Sequence, residues 1–141
     1  MSLEENKAVV RRHLEEIWNK KNFEVAGELV DTHFNAKHPE RMGPEGEKRF
    51  VTSFHTRFPG WHFNIEDMIA EGDKIVVYWE ASGKHEGEFK GFSPTGKPFT
   101  LKGFSLYRVA GGKIVGTRFS VWDRFGLMEQ VGAFSPQEQA S

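Results

Sequence analysis

No cysteine occurs anywhere in the 141 residues. Disulfide cross-links, thiolate nucleophiles and zinc–thiolate clusters are therefore excluded, and stability has to come from a packed core. An excess of one charge is missing too: 19 Lys and Arg against 20 Asp and Glu leave a net charge of −1. Without clustered positive charge, neither nucleic acid nor an anionic membrane surface is an expected partner. No apolar run approaches the roughly 20 residues that span a bilayer. The opening Met1-Ser2-Leu3-Glu4-Glu5 lacks the basic and apolar stretches of a secretory leader, so a cytoplasmic location is expected. Tyrosine is scarce, with 2 residues, whereas phenylalanine occurs 13 times and tryptophan 4 times. Rings in that number suit the inside of a strongly bent sheet, and equally a pocket for a flat apolar ligand.

The length fits one domain, expected over residues 1–132 with 133–141 as a tail. Ser2 and Glu5 have the spacing of a capping box. Behind them Val10, Leu14, Ile17 and Trp18 make one apolar helical face, and the helix is expected to stop near Asn19-Lys20-Lys21. Asn22 is placed to cap a short second helix carrying Phe23, Ala26, Leu29 and Val30. Gly43-Pro44-Glu45-Gly46 opens a third helix, buried along Phe50, Val51, Phe54 and Phe58 and ended by Pro59-Gly60. The remainder reads as strand: Trp61 to Ala70 with Trp61, Phe63, Ile65 and Ile69 on one face, then Ile75 to Ser82, Phe99 to Val109 and Ile114 to Trp122. Gly103 sits where the apolar residues change parity, from Phe99 and Leu101 to Phe104 and Leu106, which suggests a bulge. Helices first and four sequential strands afterwards predict a segregated α+β fold with an antiparallel sheet.

Phosphate-binding glycine motifs and the G-x-S-x-G elbow are absent. His33 and His38 lie five apart in a loop, off the spacing of a helical zinc pair, and no metal site is expected. General acid–base chemistry remains, with His38, His62, His85 and Asp123 as candidates. Asp123 has two readings. On one parity with Val115, Thr117, Phe119 and Val121 its carboxylate enters the interior, where burial raises its pKa. Alternatively it is the N-cap of a last helix carrying Leu127, Met128 and Val131. His85 ends a strand beside a glycine-rich loop, either at a pocket mouth or solvated. His38 is a loop residue before Pro39. His13 and His55 stand among charged helical neighbours and are expected at the surface, as is His62. Arg118 is expected to face water.

The ordered set Ile17-Trp18-Asn19, His38-Pro39, Gly43-Pro44-Glu45-Gly46, Phe58-Pro59-Gly60, Glu71-Gly72-Asp73-Lys74, Gly83-Lys84-His85-Glu86-Gly87, Pro94-Thr95-Gly96-Lys97, Gly112-Lys113-Ile114-Val115 and Asp123-Arg124-Phe125-Gly126-Leu127 resembles the SnoaL-like polyketide cyclases of the nuclear-transport-factor-like superfamily. The resemblance implies a cone: a curved antiparallel sheet with three N-terminal helices closing a deep apolar pocket. It also implies an intramolecular aldol closure without metal or cofactor, in which an aspartic acid handles the proton transfers. Asp123 matches that aspartate, and His85 and His38 match histidines that line or support the pocket. Phe104, Phe119, Trp79, Trp122, Phe54 and Phe58 are the expected pocket walls, the ligand a small apolar or aromatic molecule, and a homodimer through the sheet the expected assembly. Gly116-Thr117-Arg118 departs from the Glu-x-Trp pattern that members often carry there. Ser105 lies where members often have a polar or acidic pocket residue. A binding domain without turnover, and a hydrolase or isomerase with His85 and Asp123 activating water, are the alternatives.

Overall fold

Ser2 starts the chain's first helix as anticipated: its hydroxyl accepts from the Glu5 amide, and the Glu5 carboxylate accepts from the Ser2 amide in return. The computed structural model describes residues 2–88 and 95–132. Part of the glycine-rich loop and the expected tail, 133–141, lie outside the described residues. Helix α1 (Leu3–Arg12) runs on into a π-helical turn, His13–Asn19. Helix α2 (Ala26–Leu29) is a single turn entered through a 3-10 turn at Phe23–Val25. Asn22 stands at that entry but makes no cap; its amide donates to Glu16 instead. Helix α3 (Gly43–Arg57) starts at the glycine–proline pair, where the missing proline N–H is one the first turn leaves free anyway. Gly43 is needed there for two reasons: its φ is +67°, and a Cβ would lie 2.8 Å from the Thr32 carbonyl oxygen.

Strands β1 (His62–Glu71), β2 (Lys74–Lys84), β3 (Pro98–Ala110) and β4 (Lys113–Trp122) form one antiparallel sheet in the order β1-β2-β3-β4. The α+β class and the curved open sheet are those expected. Helices α1, α2 and α3 cover its inner face. Ile75, Val77, Trp79 and Ala81 of β2 and Phe99, Leu101, Tyr107 and Val109 of β3 meet Val10, Leu14, Ile17, Leu29 and Val51 in the core. Helix α4 (Arg124–Gln130) closes the C-terminal end with Leu127 buried.

Three strand-level expectations are corrected. Strand β3 alternates without interruption from Pro98 to Ala110, and Trp79 pairs directly with Gly103, so no bulge lies there. Gly103 instead makes room for a ring: a Cβ would fall 2.5 and 2.6 Å from two carbons of the Trp79 indole. The bulges lie elsewhere. One residue is inserted in β1 between Ile65 and Asp67, which turns Met68 inward and leaves Ile69 65% exposed. In β4, Leu106 pairs with Phe119 but Arg108 with Val115, so Gly116, Thr117 and Arg118 face Tyr107 alone. Finally, the inward parity of β4 is the other one. Ile114, Arg118, Ser120 and Trp122 turn in, while Phe119 and Val121 are 64% and 56% exposed. A one-residue difference in parity exchanges every side chain between faces.

Candidate functional site

The inner face of the β3–β4 pair is polar where the rest of the sheet's inner face is apolar. Ser105 and Ser120 are directly paired, and their hydroxyls hydrogen-bond at 2.8 Å. The Trp79 indole N–H donates to Ser105 Oγ at 2.9 Å, which fixes the ring over Gly103. Further along, Tyr107 faces the bulged Arg118. Bulges next to sites re-aim side chains, and here the bulge turns a cation inward. The loop before α3 holds that bulge from outside: the Asn35 amide donates to the Gly116 carbonyl at 2.8 Å, and the Arg118 amide donates to Asn35 Oδ1 at 3.3 Å.

Above this floor stand Trp18, Phe50, Phe54, Trp61, Phe63 and Trp122, and the whole encloses a cavity of about 80 Å³. All four tryptophans of the chain line it. Their rings meet edge to face, as Trp18 does with Phe50, Phe54 and Phe63 at 5.4–5.7 Å. The Arg118 guanidinium carbon lies 5.3 Å from the centre of Trp18 and 5.8 Å from that of Phe50. A larger groove, about 680 Å³, opens at the sheet end between Pro59, Gly83 and Pro98, but none of the buried polar side chains lines it.

Behind Arg118 lies a buried network that the sequence reading did not anticipate. Glu47 and His13 are both fully buried, and His13 Nε2 is 2.5 Å from Glu47 Oε2. The same carboxylate oxygen is 3.6 Å from Arg118 Nη1. Burial alone would push the Glu47 carboxyl up, but Arg118 and His13 pull harder, so it lies below the ordinary carboxylate value. Tyr107 is pushed up to about 12, chiefly by burial, with Arg118 opposing and Glu47 reinforcing the rise. Its hydroxyl, the Trp18 indole N–H, Glu47 Oε1 and His13 Nδ1 are buried without a hydrogen-bond partner among the described residues. The Tyr107 hydroxyl and the Trp18 N–H face Arg118 and Glu47 without closing a well-formed bond. His13 at the surface and Arg118 in water are thus both corrected.

A signal for the pair was present. His13 sits inside the stripe Val10, Leu14, Ile17, and Glu47 is three and four residues before Phe50 and Val51. Each is a polar side chain in an apolar helical face.

Of the residues named from sequence, Trp79, Trp122 and Phe54 line the cavity. Phe58 is buried in the same aromatic cluster, 5.2 Å from Phe54, behind the wall. Phe104 and Phe119 lie on the outer face, the former stacked on Tyr78 at 4.8 Å. Asp123 is exposed; its carboxylate accepts from the Gly126 amide at 2.8 Å as the cap of α4, and it does not line the cavity. His85 is buried at the far end of the sheet, its Nδ1 3.1 Å from Thr95 Oγ1 and its ring 6.2 Å from Phe58. His38 is exposed in the loop. The three histidine and aspartate candidates are therefore not brought together. His62 is exposed as expected, and His55 is half-buried with Nε2 2.6 Å from the Trp18 carbonyl oxygen.

No curated protein matches the chain. Among solved structures, TsrD from Streptomyces laurentii superposes with a TM-score of 0.81 at 18% identity, covering 95% of this chain and 99% of that one. A SnoaL-like polyketide cyclase from Agrobacterium tumefaciens gives 0.78 at 18% identity, with 94% and 100% covered. IdmH from Streptomyces antibioticus gives 0.72 at 26% identity, with 90% and 98% covered. The family model for SnoaL-like polyketide cyclases matches residues 8–131, and the chain belongs to that family.

Proposed function

We propose that this protein binds a small, flat carbonyl compound in the inner cavity and stabilises the enolate formed when a carbon beside the carbonyl loses its proton. One observation carries the reading: Arg118 and Tyr107 both line a cavity whose other walls are aromatic rings and the paired hydroxyls of Ser105 and Ser120. A buried cation and a phenol held protonated by its surroundings are the groups that stabilise a developing oxyanion. In the step, the C–H electron pair becomes the carbon–carbon double bond of the enolate, the carbonyl π pair moves onto oxygen, Arg118 and Tyr107 hold that oxygen, and the proton leaves to water. Addition of the enolate carbon to a second carbonyl of the same molecule closes a ring, and the resulting alkoxide takes up a proton. A doubly activated carbon acid needs little basic help, and no carboxylate is among the described residues that line the cavity. One oxyanion donor is worth about 10²–10³ in rate.

Deuterium exchange at the activated carbon of ethyl benzoylacetate, followed by NMR in D2O, tests this. The protein is expected to accelerate exchange over buffer. Tyr107→Phe is expected to lose at least about tenfold of that acceleration, and Asp123→Asn to stay within about twofold, its carboxylate being spent on the α4 cap. Exchange no faster than in buffer would sink the catalytic reading. A loss in Asp123→Asn comparable to that in Tyr107→Phe would return the acid–base role to the aspartate. The second reading, binding without turnover, is favoured by the position of Asp123 outside the cavity.

A further inference from the structure

The polar floor has a spacing. Ser105 and Ser120 form one rung across β3 and β4, and Tyr107 and the bulged Arg118 lie next along the same face. Two residues along β3 separate Ser105 from Tyr107, about 6.6 Å at 3.3 Å per residue. The two pairs differ in chemistry. The serine rung offers hydroxyls that both donate and accept, already linked to each other and to Trp79. The other offers a guanidinium, which only donates, and a buried tyrosine hydroxyl that no well-formed hydrogen bond holds.

The guanidinium also has capacity left. Its contact to Glu47 is 3.6 Å, longer than the about 2.7–2.9 Å of a charge-assisted hydrogen bond. Glu47 offsets the charge from behind but does not occupy the fork. Size adds a limit. A cavity of about 80 Å³ holds two or three waters at about 30 Å³ each. A cavity of about 150 Å³ accepts one benzene ring. Phe50 and Phe54, the half-buried rings of the wall, are the ones a single-ring ligand would have to displace.

We infer that the cavity takes a single-ring planar oxyanion, a carboxylate, phenolate or enolate, with its charged oxygen on Arg118 and Tyr107 and a second, neutral oxygen on the Ser105–Ser120 rung, two residues along the strands. This rests on the cavity being the ligand site, and is independent of whether turnover follows there.

The four cavity tryptophans supply the readout. Their fluorescence is titrated with 4-hydroxybenzoate and with its neutral counterpart 4-hydroxybenzyl alcohol. The carboxylate is expected to bind at least about tenfold more tightly, the value of one hydrogen bond to a charged group. Glu47→Gln, which removes the opposing charge and keeps an acceptor for His13, is expected to widen that preference. Tyr107→Phe, which keeps the ring and the ion pair, is expected to narrow it several-fold, and Glu47→Gln with Arg118→Gln to abolish it. Equal binding of the two ligands by the wild type, or a preference that survives in the double variant, overturns the inference and leaves the cavity as the ligand site. Absence of any fluorescence response to either ligand overturns both. Should the double variant not fold, a Tyr107→Phe preference equal to that of the wild type is the overturning result.

Discussion

Gly103→Ala is the sharpest test of the cavity floor. The backbone φ at this position is not in the left-handed region, so alanine introduces no backbone strain and the effect is steric. The added methyl would lie 2.5 and 2.6 Å from the Trp79 indole and 2.7 Å from the Val121 carbonyl oxygen. The indole cannot simply rotate away, because its N–H is bonded to Ser105 and its ring stands 4.9 Å from Phe63. The carbonyl belongs to the β3–β4 pairing and can move only with the strand. Overpacking of this kind costs about 1–3 kcal/mol. Loss of the Trp79–Ser105 bond adds about 0.5–1.5 kcal/mol. The restricted unfolded chain gives back about 0.4–1 kcal/mol. The expected net loss is about 2–3 kcal/mol. With an unfolding entropy of about 2.1 cal/mol/K per residue over 141 residues, each kcal/mol lowers Tm by about 3 °C. A drop of about 7–10 °C follows, read by circular dichroism, with a red shift of tryptophan emission as Trp79 leaves its place. Gly27→Ala is the control, since open space surrounds that Cβ and the residue lies in α2; its Tm should hold or rise slightly. A Gly103→Ala protein melting within about 2 °C of the wild type with unchanged emission would refute the placement of Trp79 over Gly103.

Glu47 should show itself in acid. Its carboxyl lies below 4.5 in the fold, so the stability it contributes is complete above that value and is lost as pH falls through the lower native value. Urea unfolding of wild type and Glu47→Gln should give a constant gap at neutral pH that closes in acid; a gap independent of pH would count against an ionised Glu47. Tyr107 should show itself in alkali. Its native value of about 12 lies above the ordinary 10.0, so the fold is fully favoured below 10 and loses up to about 3 kcal/mol between 10 and 12. Tyr107→Phe should flatten that alkaline loss, and an identical profile would show that Tyr107 is not its source. Phe119→Ser lies on the outer face and should leave tryptophan emission and ligand titration unchanged; a response would mean that β4 presents its other face to the cavity.

The helices were legible because each is signalled locally: a capping box at Ser2, a glycine–proline start at Gly43, and stripes at 10, 14, 17, 18 and 50, 51, 54, 58. The four strands and their sequential order were legible from alternation and turns. What failed was the assumption that apolar means inward. Phe104, Leu106, Phe119 and Val121 are apolar and exposed, while Ser105, Arg118 and Ser120 point in. A sheet with apolar residues on both faces leaves its parity open, and here the polar members of the alternation, Ser105, Arg118 and Ser120, lie on the inner face. Bulges compound the difficulty: the insertion between Ile65 and Asp67 puts Ile69 on the opposite face from Phe63 and Ile65, whose parity it shares in the sequence. Of the two readings the sequence left for Asp123, the cap is the one the fold shows, with Gly126, three residues on, leaving the space its carboxylate occupies.

The buried triad of His13, Glu47 and Arg118 invites a final test, because its chemistry separates structure from function. Removing one partner strands the others: Glu47→Leu leaves a buried guanidinium and a buried histidine unpaired and is expected to cost about 3–5 kcal/mol. Replacing all three by apolar groups of similar volume, His13→Phe, Glu47→Leu and Arg118→Met, removes the desolvation together with the attraction. Such exchanges are neutral or stabilising by about 1–4 kcal/mol elsewhere. The triple variant is therefore expected to melt at or above the wild-type temperature while losing the preference for 4-hydroxybenzoate over its alcohol. A triad kept for stability predicts the reverse, a triple variant as damaged as Glu47→Leu. Denaturant unfolding of the three proteins, beside the fluorescence titration, decides between a charge that holds the fold together and a charge that the fold holds in place for a ligand.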